Sequence, residues 1–343
     1  GNTVSLSNTL NDYVGNTDIR SGTLKMIADN VLGQTDVLSL AADTALDMNG
    51  KAQTVGSLQS AANATVNLNG GALSLIHGGV SDGALAGSGE LNVLADTLTV
   101  NGANADLSAT TTVANGATVA LNDAAGLGIG DIVNAGKVMF SDAAGTVANN
   151  IRDGVAAATR ALSATAGSVD LVNSQLTLDG DNSGFSGVFN IDAASQLTAT
   201  AAQQLGTADI ADEGELVLNA ADNWALTNNL SGTGNLTKQG AGVVTLSGNA
   251  AYTGLTDIQA GGLMLGSEAA PVTLASSQVN VAQDAFLAGY GGVAGNVNNL
   301  GTLYVGAQNE SGAAQTFTVG QDLVNNGTVN IAHGSVAGNV LNV

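Results

Sequence analysis

Residues 230–266 read LSGTGNLTKQGAGVVTLSGNAAYTGLTDIQAGGLMLG. Apolar residues alternate with small polar ones in short runs, and Gly interrupts the pattern at nearly every corner. Alternation places every second side chain on one face of an extended strand, and Gly supplies turn conformations that other residues resist. The stretch predicts about four or five very short strands joined by tight turns, with no room for a helix.

Working outward, the pattern repeats. Tyr13-Val-Gly15-Asn-Thr17-Asp18-Ile19-Arg-Ser-Gly22-Thr-Leu24 superposes on Tyr252-Thr-Gly254-Leu-Thr256-Asp257-Ile258-Gln-Ala-Gly261-Gly-Leu263, matching the aromatic, both Gly and the whole Thr-Asp-Ile triplet. A third copy lies at Phe185-Ser-Gly187-Val-Phe-Asn-Ile191, after Leu176-Thr-Leu178-Asp-Gly180. A fourth, weaker one runs from Leu85-Ala-Gly87-Ser-Gly89 to Thr112-Val113. The equivalent aliphatics Ile19, Val113, Ile191 and Ile258 are 94, 78 and 67 positions apart. Such uneven spacing suits a solenoid with variable loops and not a propeller of fixed blades. Between the copies, Thr65-Val-Asn-Leu68, Thr118-Val-Ala-Leu121, Leu216-Val-Leu218 and Thr328-Val-Asn-Ile331 keep the alternation. Asn or Gly then ends the run, and Asn both tolerates the left-handed turn and can pair with an Asn in the next layer.

These motifs carry a family resemblance. Gly232-Thr-Gly234-Asn-Leu236-Thr-Lys238, then Gly240-Ala-Gly242-Val-Val-Thr-Leu246-Ser-Gly248 and Tyr252-Thr-Gly254, resemble the autotransporter-associated β-strand repeat of bacterial type V secretion passengers. The expected fold is all-β: a right-handed parallel β-helix (β-solenoid) forming a single elongated domain. At the roughly 20 to 25 residues per coil the resemblance implies, about 14 to 17 coils at about 4.8 Å per layer would make a rod roughly 70 to 80 Å long. Residues 1–280 are expected to form the stalk. After Pro271 the text changes, and Gly289–Leu303 and Leu323–Val329 superpose at an offset of 26 residues. Residues 281–343 resemble the C-terminal coils of pertactin-like passengers, which implies an autochaperone role.

Composition agrees with a repetitive body. The 343 residues include 47 Gly, one Pro, no Cys and only 3% aromatics, so small aliphatics must fill the core in layers. The formal net charge of −21 repels phosphates, which argues against nucleic acid. Absence of Cys removes disulfides and thiol chemistry, and suits a chain that crosses the outer membrane unfolded. No signal-like start, long apolar run or set of barrel strands is present, so the stretch is expected to be a passenger, or a piece of one, with its translocator barrel C-terminal to it.

One segment breaks the alternation. From Asn149 to Ser168 the Ala content rises, and Arg152 and Arg160 stand eight positions apart. Asn149-Asn150-Ile151 aligns with Asn228-Asn229-Leu230, so residues 152–168 read as a loop or short helix inserted into a turn, either decorative or part of a binding face. Arg152 and Arg160 are the candidate ligand-binding residues. No catalytic, cofactor-binding or metal site is expected. His77 and His333 lack convergent partners in sequence and read as turn residues. Asp179-Gly-Asp181-Asn-Ser183-Gly184 copies the opening of a calcium loop, but Asn190 stands where a bidentate Glu would close it, which favours a polar turn. No Gly-x-Ser-x-Gly elbow occurs, so the chain is not expected to be an enzyme. The resemblance implies a passenger at the bacterial cell surface or released from it. Its expected partners are itself on neighbouring cells or host extracellular-matrix proteins, with a stalk whose working tip lies elsewhere as the third reading.

Overall fold

The computed structural model describes residues 1–155, 164–306, 314–331 and 338–343. Among them, regular structure is β-strand apart from one 3-10 turn at Ala202–Gln204. The chain is a parallel β-solenoid of about 16 turns, grouped into two compact units, Gly1–Val188 and Phe189–Val343. The change of sequence pattern after Pro271 falls inside the second unit.

The first unit is built mainly on three sheets, while Ala144–Val147 and Gln175–Leu178 pair in a fourth. One runs from Val14–Ile19 and Gln34–Leu40, strand by strand, to Ser168–Val172. A second holds Ala52–Val55, Gly71–Leu75, Gly89–Val93, Thr110–Val113, Ile132–Asn134 and Ile151–Val155. The third runs from Thr3–Leu6 to Ala84–Ala86. Ala45 pairs with Thr65 and Thr65 with Ala84, so a turn takes about 20 residues, the circumference that three short strands and their corners need.

Inward positions stack like on like. Leu98, Val119, Val138 and Val169 form one buried column, and Val100, Leu121, Phe140 and Leu171 the next. Each such side chain contributes about 1.5–3 kcal/mol of burial, so many small aliphatics substitute for the missing aromatics. At the corners, all eight described non-Gly residues with positive φ are Asn or Asp, from Asn69 at 44° to Asn63 at 64°. Gly79 is needed for two reasons. Its φ is +128°, and a Cβ there would sit 2.0 Å from the Leu58 carbonyl oxygen in the preceding turn.

The second unit repeats the scheme. One sheet runs from Gln196–Ala199 through Glu215–Asn219, Asn235–Gln239 and Leu255–Ile258 to Leu323–Asn325. Another runs from Trp224–Leu226 through Val243–Leu246, Gly261–Ser267, Ala285–Gly289 and Thr302–Tyr304 to Thr328–Asn330. The stretch 230–266 thus supplies four strands and the two-residue Leu230–Ser231. The 26-residue offset is a pairing register: Val297 faces Leu323, and Asn299 Nδ2 donates to Asn325 Oδ1 across 26 positions at 2.7 Å.

The repeated aromatic has a bonded role. Tyr252 OH lies 2.6 Å from Thr256 Oγ1, which donates to Ser276 Oγ in the next turn at 2.9 Å. In the N-terminal copy, Tyr13 OH lies 3.1 Å from Thr17 Oγ1, itself 2.7 Å from Thr35 Oγ1. In the third copy Phe185 and Phe189 take the Tyr and Thr places, and both are fully buried, so ring packing replaces the hydroxyl pair. Two of the copies do not keep phase: Val113 lies in a different sheet from Ile19 in the first unit, and Ile258 in a different sheet from Ile191 in the second. A one-strand slip leaves alternation intact, so sequence pattern alone cannot detect it.

The excursion after Asn149 begins as strand, neither loop nor helix. Ile151–Val155 pairs in parallel with Ile132–Asn134, and Gly154 and Val155 pair antiparallel with Thr165 and Ala164. Arg152 stays in the ladder because Ile151 is an inward rung, fully buried above Ile132. The alignment of Asn149 with Asn228 is reproduced in bonding. Asn149 Nδ2 donates to the Leu127 and Gly130 carbonyls, Asn228 Nδ2 to those of Leu205 and Ala208. Each buried amide satisfies carbonyls that the corner below leaves unpaired.

Candidate contact surface

Between buried rungs, outward side chains line up one per turn. On the longest sheet of the first unit the column reads Asp18, Ser39, Gln59, Val80, Thr99, Ala120, Met139 and Asp170. Its first rungs line a shallow groove with Arg20 and Asp82 at the rim. The column is polar at both ends, while its middle rungs Val80, Thr99, Ala120 and Met139 are mostly apolar. Arg20 pairs with Asp18 at 3.3 Å and Lys137 with Asp170 at 2.6 Å, the latter more sheltered at its carboxylate.

The second sheet carries Thr54, Ser74, Asn92, Thr112, Val133 and Arg152 in register. Asn92 Nδ2 donates to Ser74 Oγ at 3.3 Å. Arg152 ends this column, exposed, beside the buried Val133. Arg160 and His333 lie outside the described residues.

The acidic charge is held by neutral donors. Asn69 donates to Asp47, Asn101 to Asp82, Asn150 to Asp131, Asn173 to Asp142 and Asn229 to Asp209, at 2.6 to 3.0 Å. In most of these the donor follows its carboxylate by 19 to 22 positions. The corner amides therefore reach Asp more often than Asn, each giving a neutral donor to a carboxylate of a neighbouring turn. His77 follows the same logic: its Nδ1 lies 3.0 Å from Asp96, a partner one turn away and invisible in the local sequence. Asp181 accepts from the backbone and hydroxyl of Ser183, which hold its carboxyl below the usual range. Asn182 Oδ1 accepts from Ile151 N at 2.6 Å, so the calcium-like stretch is a turn bonded to the preceding coil.

Three buried titratable groups of the second unit stand out, of which the sequence shows Tyr252 and Lys238 only as motif positions and Asp212 not at all. Asp212 is 3% exposed, and desolvation, with the charges of Glu213 and Glu215, pushes its carboxyl up to about 7 against a lowering bond from Gly214 N. Burial also raises the Tyr252 phenol. Lys238, from the Gly-x-Gly-x-Leu-x-Lys motif, points inward between Leu218 and Ile258. Its Nζ donates to the carbonyls of Gln239, Gly240 and Ala260 at 2.7, 2.9 and 3.0 Å, while burial lowers it to about 8. Three acceptors match the three N–H bonds of an ammonium, so this lysine closes a corner and offers no surface charge.

Comparisons with known proteins agree with this architecture. A family model described as passenger-associated-transport-repeat matches residues 1–26 and 236–265, two of the copies seen in the sequence. The chain is 46% identical over 330 residues to the uncharacterized protein YuaQ of Escherichia coli, covering 96% of this chain and 23% of that protein. It is 38% identical over 297 residues to the uncharacterized lipoprotein YdeK of Escherichia coli, covering 86% of this chain and 21% of that protein. The chain thus spans under a quarter of the length of these curated relatives. No solved structure matches. The repeat match and the parallel solenoid fit a secreted autotransporter passenger at the cell surface.

Proposed function

We propose that the chain is an adhesive passenger segment that acts by multivalent contact between copies on neighbouring cells, promoting aggregation and biofilm growth. The outward column from Asp18 to Asp170 carries this reading. It offers one side chain per turn, about 4.8 Å apart, so weak contacts add in register along a facing column. The function needs no cofactor and no catalysis. A translocator barrel follows in the full protein, and the last coils, about 281–343, act as a folding seed of the pertactin kind.

With a net charge of −21, two such faces repel until salt screens them. Sedimentation velocity across protein and salt concentrations should therefore show a dimer that strengthens with added salt. A monomer under every condition would overturn self-recognition. The second reading would then take its place: attachment to a host matrix glycoprotein through Arg152, exposed at the end of its column, and Arg160.

A further inference from the structure

The aromatic residues are few and unevenly placed. The chain has five Phe, four Tyr and one Trp, of which all but Tyr13, Trp224, Phe286 and Tyr304 are buried in the core. Three of these four belong to one sheet of the second unit. Trp224 and Phe286 line a single shallow groove whose other walls include Asn223, Val243, Thr245 and Met264. The Tyr304 ring meets Phe286 edge-on, with centroids 5.7 Å apart and planes at 88°. The Phe286 ring also lies against Gly262, where a Cβ would come within 2.1 Å of its Cζ, so it is held in place before any ligand arrives.

We propose that this groove binds an uncharged oligosaccharide, stacking the apolar face of a pyranose ring on Phe286 and Trp224. The inference goes beyond the self-contact reading and rests on different residues. No lining residue carries a charge, so nothing there would compensate an ionic ligand for lost hydration. Polar groups are nonetheless at hand. Asn223 is exposed and accepts from Val243 N at 2.8 Å through its Oδ1, which leaves its amide N–H groups for a ligand, and Thr245 adds a hydroxyl to the lining, whereas Trp224 Nε1 is buried without an acceptor among the described residues and contributes its ring face only. Apolar walls with a few unspent donors match a sugar, which presents C–H bonds on its face and hydroxyls at its edge. A second copy of this unit is a poorer occupant. The only Lys or Arg in residues 189–343 is the buried Lys238, so a facing copy would bring carboxylates against carboxylates.

Trp224 is the chain's only tryptophan, so its fluorescence reports on this groove directly. The purified chain is titrated with cellohexaose, maltohexaose and N-acetylchitohexaose, and with polygalacturonate as the acidic counterpart. The proposal expects a saturable change with at least one neutral sugar, insensitive to salt. Phe286→Ala should weaken it about tenfold, the loss of one stacked ring. Because Phe286 also covers Gly262, Met264→Glu is the second variant. It keeps every ring, places a charge in the groove, and should abolish the response. No saturable change with any neutral sugar, a response to polygalacturonate alone, or sugar binding that survives both substitutions would overturn the assignment. So would a fluorescence change that follows protein concentration without sugar, which would assign the groove to a second copy.

Discussion

Replacing Asp212 with Asn should remove a pH dependence of stability that the buried carboxyl imposes. Asp212 has its pKa moved from 3.8 to about 7 by desolvation and by the neighbouring charges of Glu213 and Glu215. Below pH 4 the folded and unfolded chains both hold this proton. As pH rises from about 4 to 7 the unfolded chain ionises while the native one stays protonated, so the native state binds more protons and stability falls with pH. About three pKa units at 1.36 kcal/mol each put the total at about 4 kcal/mol, complete by about pH 7. The amide introduced by Asp212→Asn cannot ionise, yet it keeps an oxygen for Gly214 N, which lies 2.9 Å from Asp212 Oδ1 in the parent. Urea unfolding of both chains by circular dichroism at pH 4.5, 6, 7 and 8 is the assay. Carboxylates away from Asp212 cancel in the difference, and the coupling to Glu213 and Glu215 is part of the effect measured. The variant's advantage should be about 1 kcal/mol at pH 4.5 and grow to about 4 kcal/mol at pH 8. Parallel curves across the range would refute a buried, protonated Asp212.

Lys238→Met should lose about 1–3 kcal/mol at pH 7, since three part-buried carbonyls are left without donors. Because burial depresses this amine to about 8, the parent should gain stability as pH rises from about 8 to 10.5, and the variant should not; urea midpoints at pH 7, 9 and 10.5 check both. Tyr252→Phe should cost about 1 kcal/mol by removing one hydrogen bond to the buried Thr256 hydroxyl, which keeps its bond to Ser276, whereas Tyr13→Phe, at an exposed bond, should cost under about 0.5 kcal/mol in the same assay. Gly79→Ala should destabilise by several kcal/mol or prevent folding, as read by thermal melts, because a methyl group meets the Leu58 carbonyl at a φ of +128°.

Much of the candidate surface could be read only in part from the sequence. Arg152 is exposed, as an arginine at the start of an Ala-rich break should be, yet it continues a strand, because Ile151 just before it stacks on Ile132. The partner of His77 could have been sought at a spacing of one turn, where Asp96 stands. The groove of Trp224 and Phe286 carries no local signal: the residues are about 60 positions apart and line one groove because their strands belong to one sheet with two strands between them.

What the sequence determined alone was the coil. Strict alternation with Gly, Asn and Asp at the corners leaves a chain poor in aromatics only one way to bury its aliphatics, by stacking each run on the next, so the solenoid and its repeated Tyr-Thr anchors follow from local chemistry. What it left open was phase: which sheet each run joins, which rung lies above it, and hence which outward side chains form a column. A shift by one strand changes no alternation and no corner residue, so the choice passes to contacts between turns. Ile151 settling over Ile132, and Lys238 reaching three carbonyls from two successive turns, are such contacts, and only the folded chain brings them together.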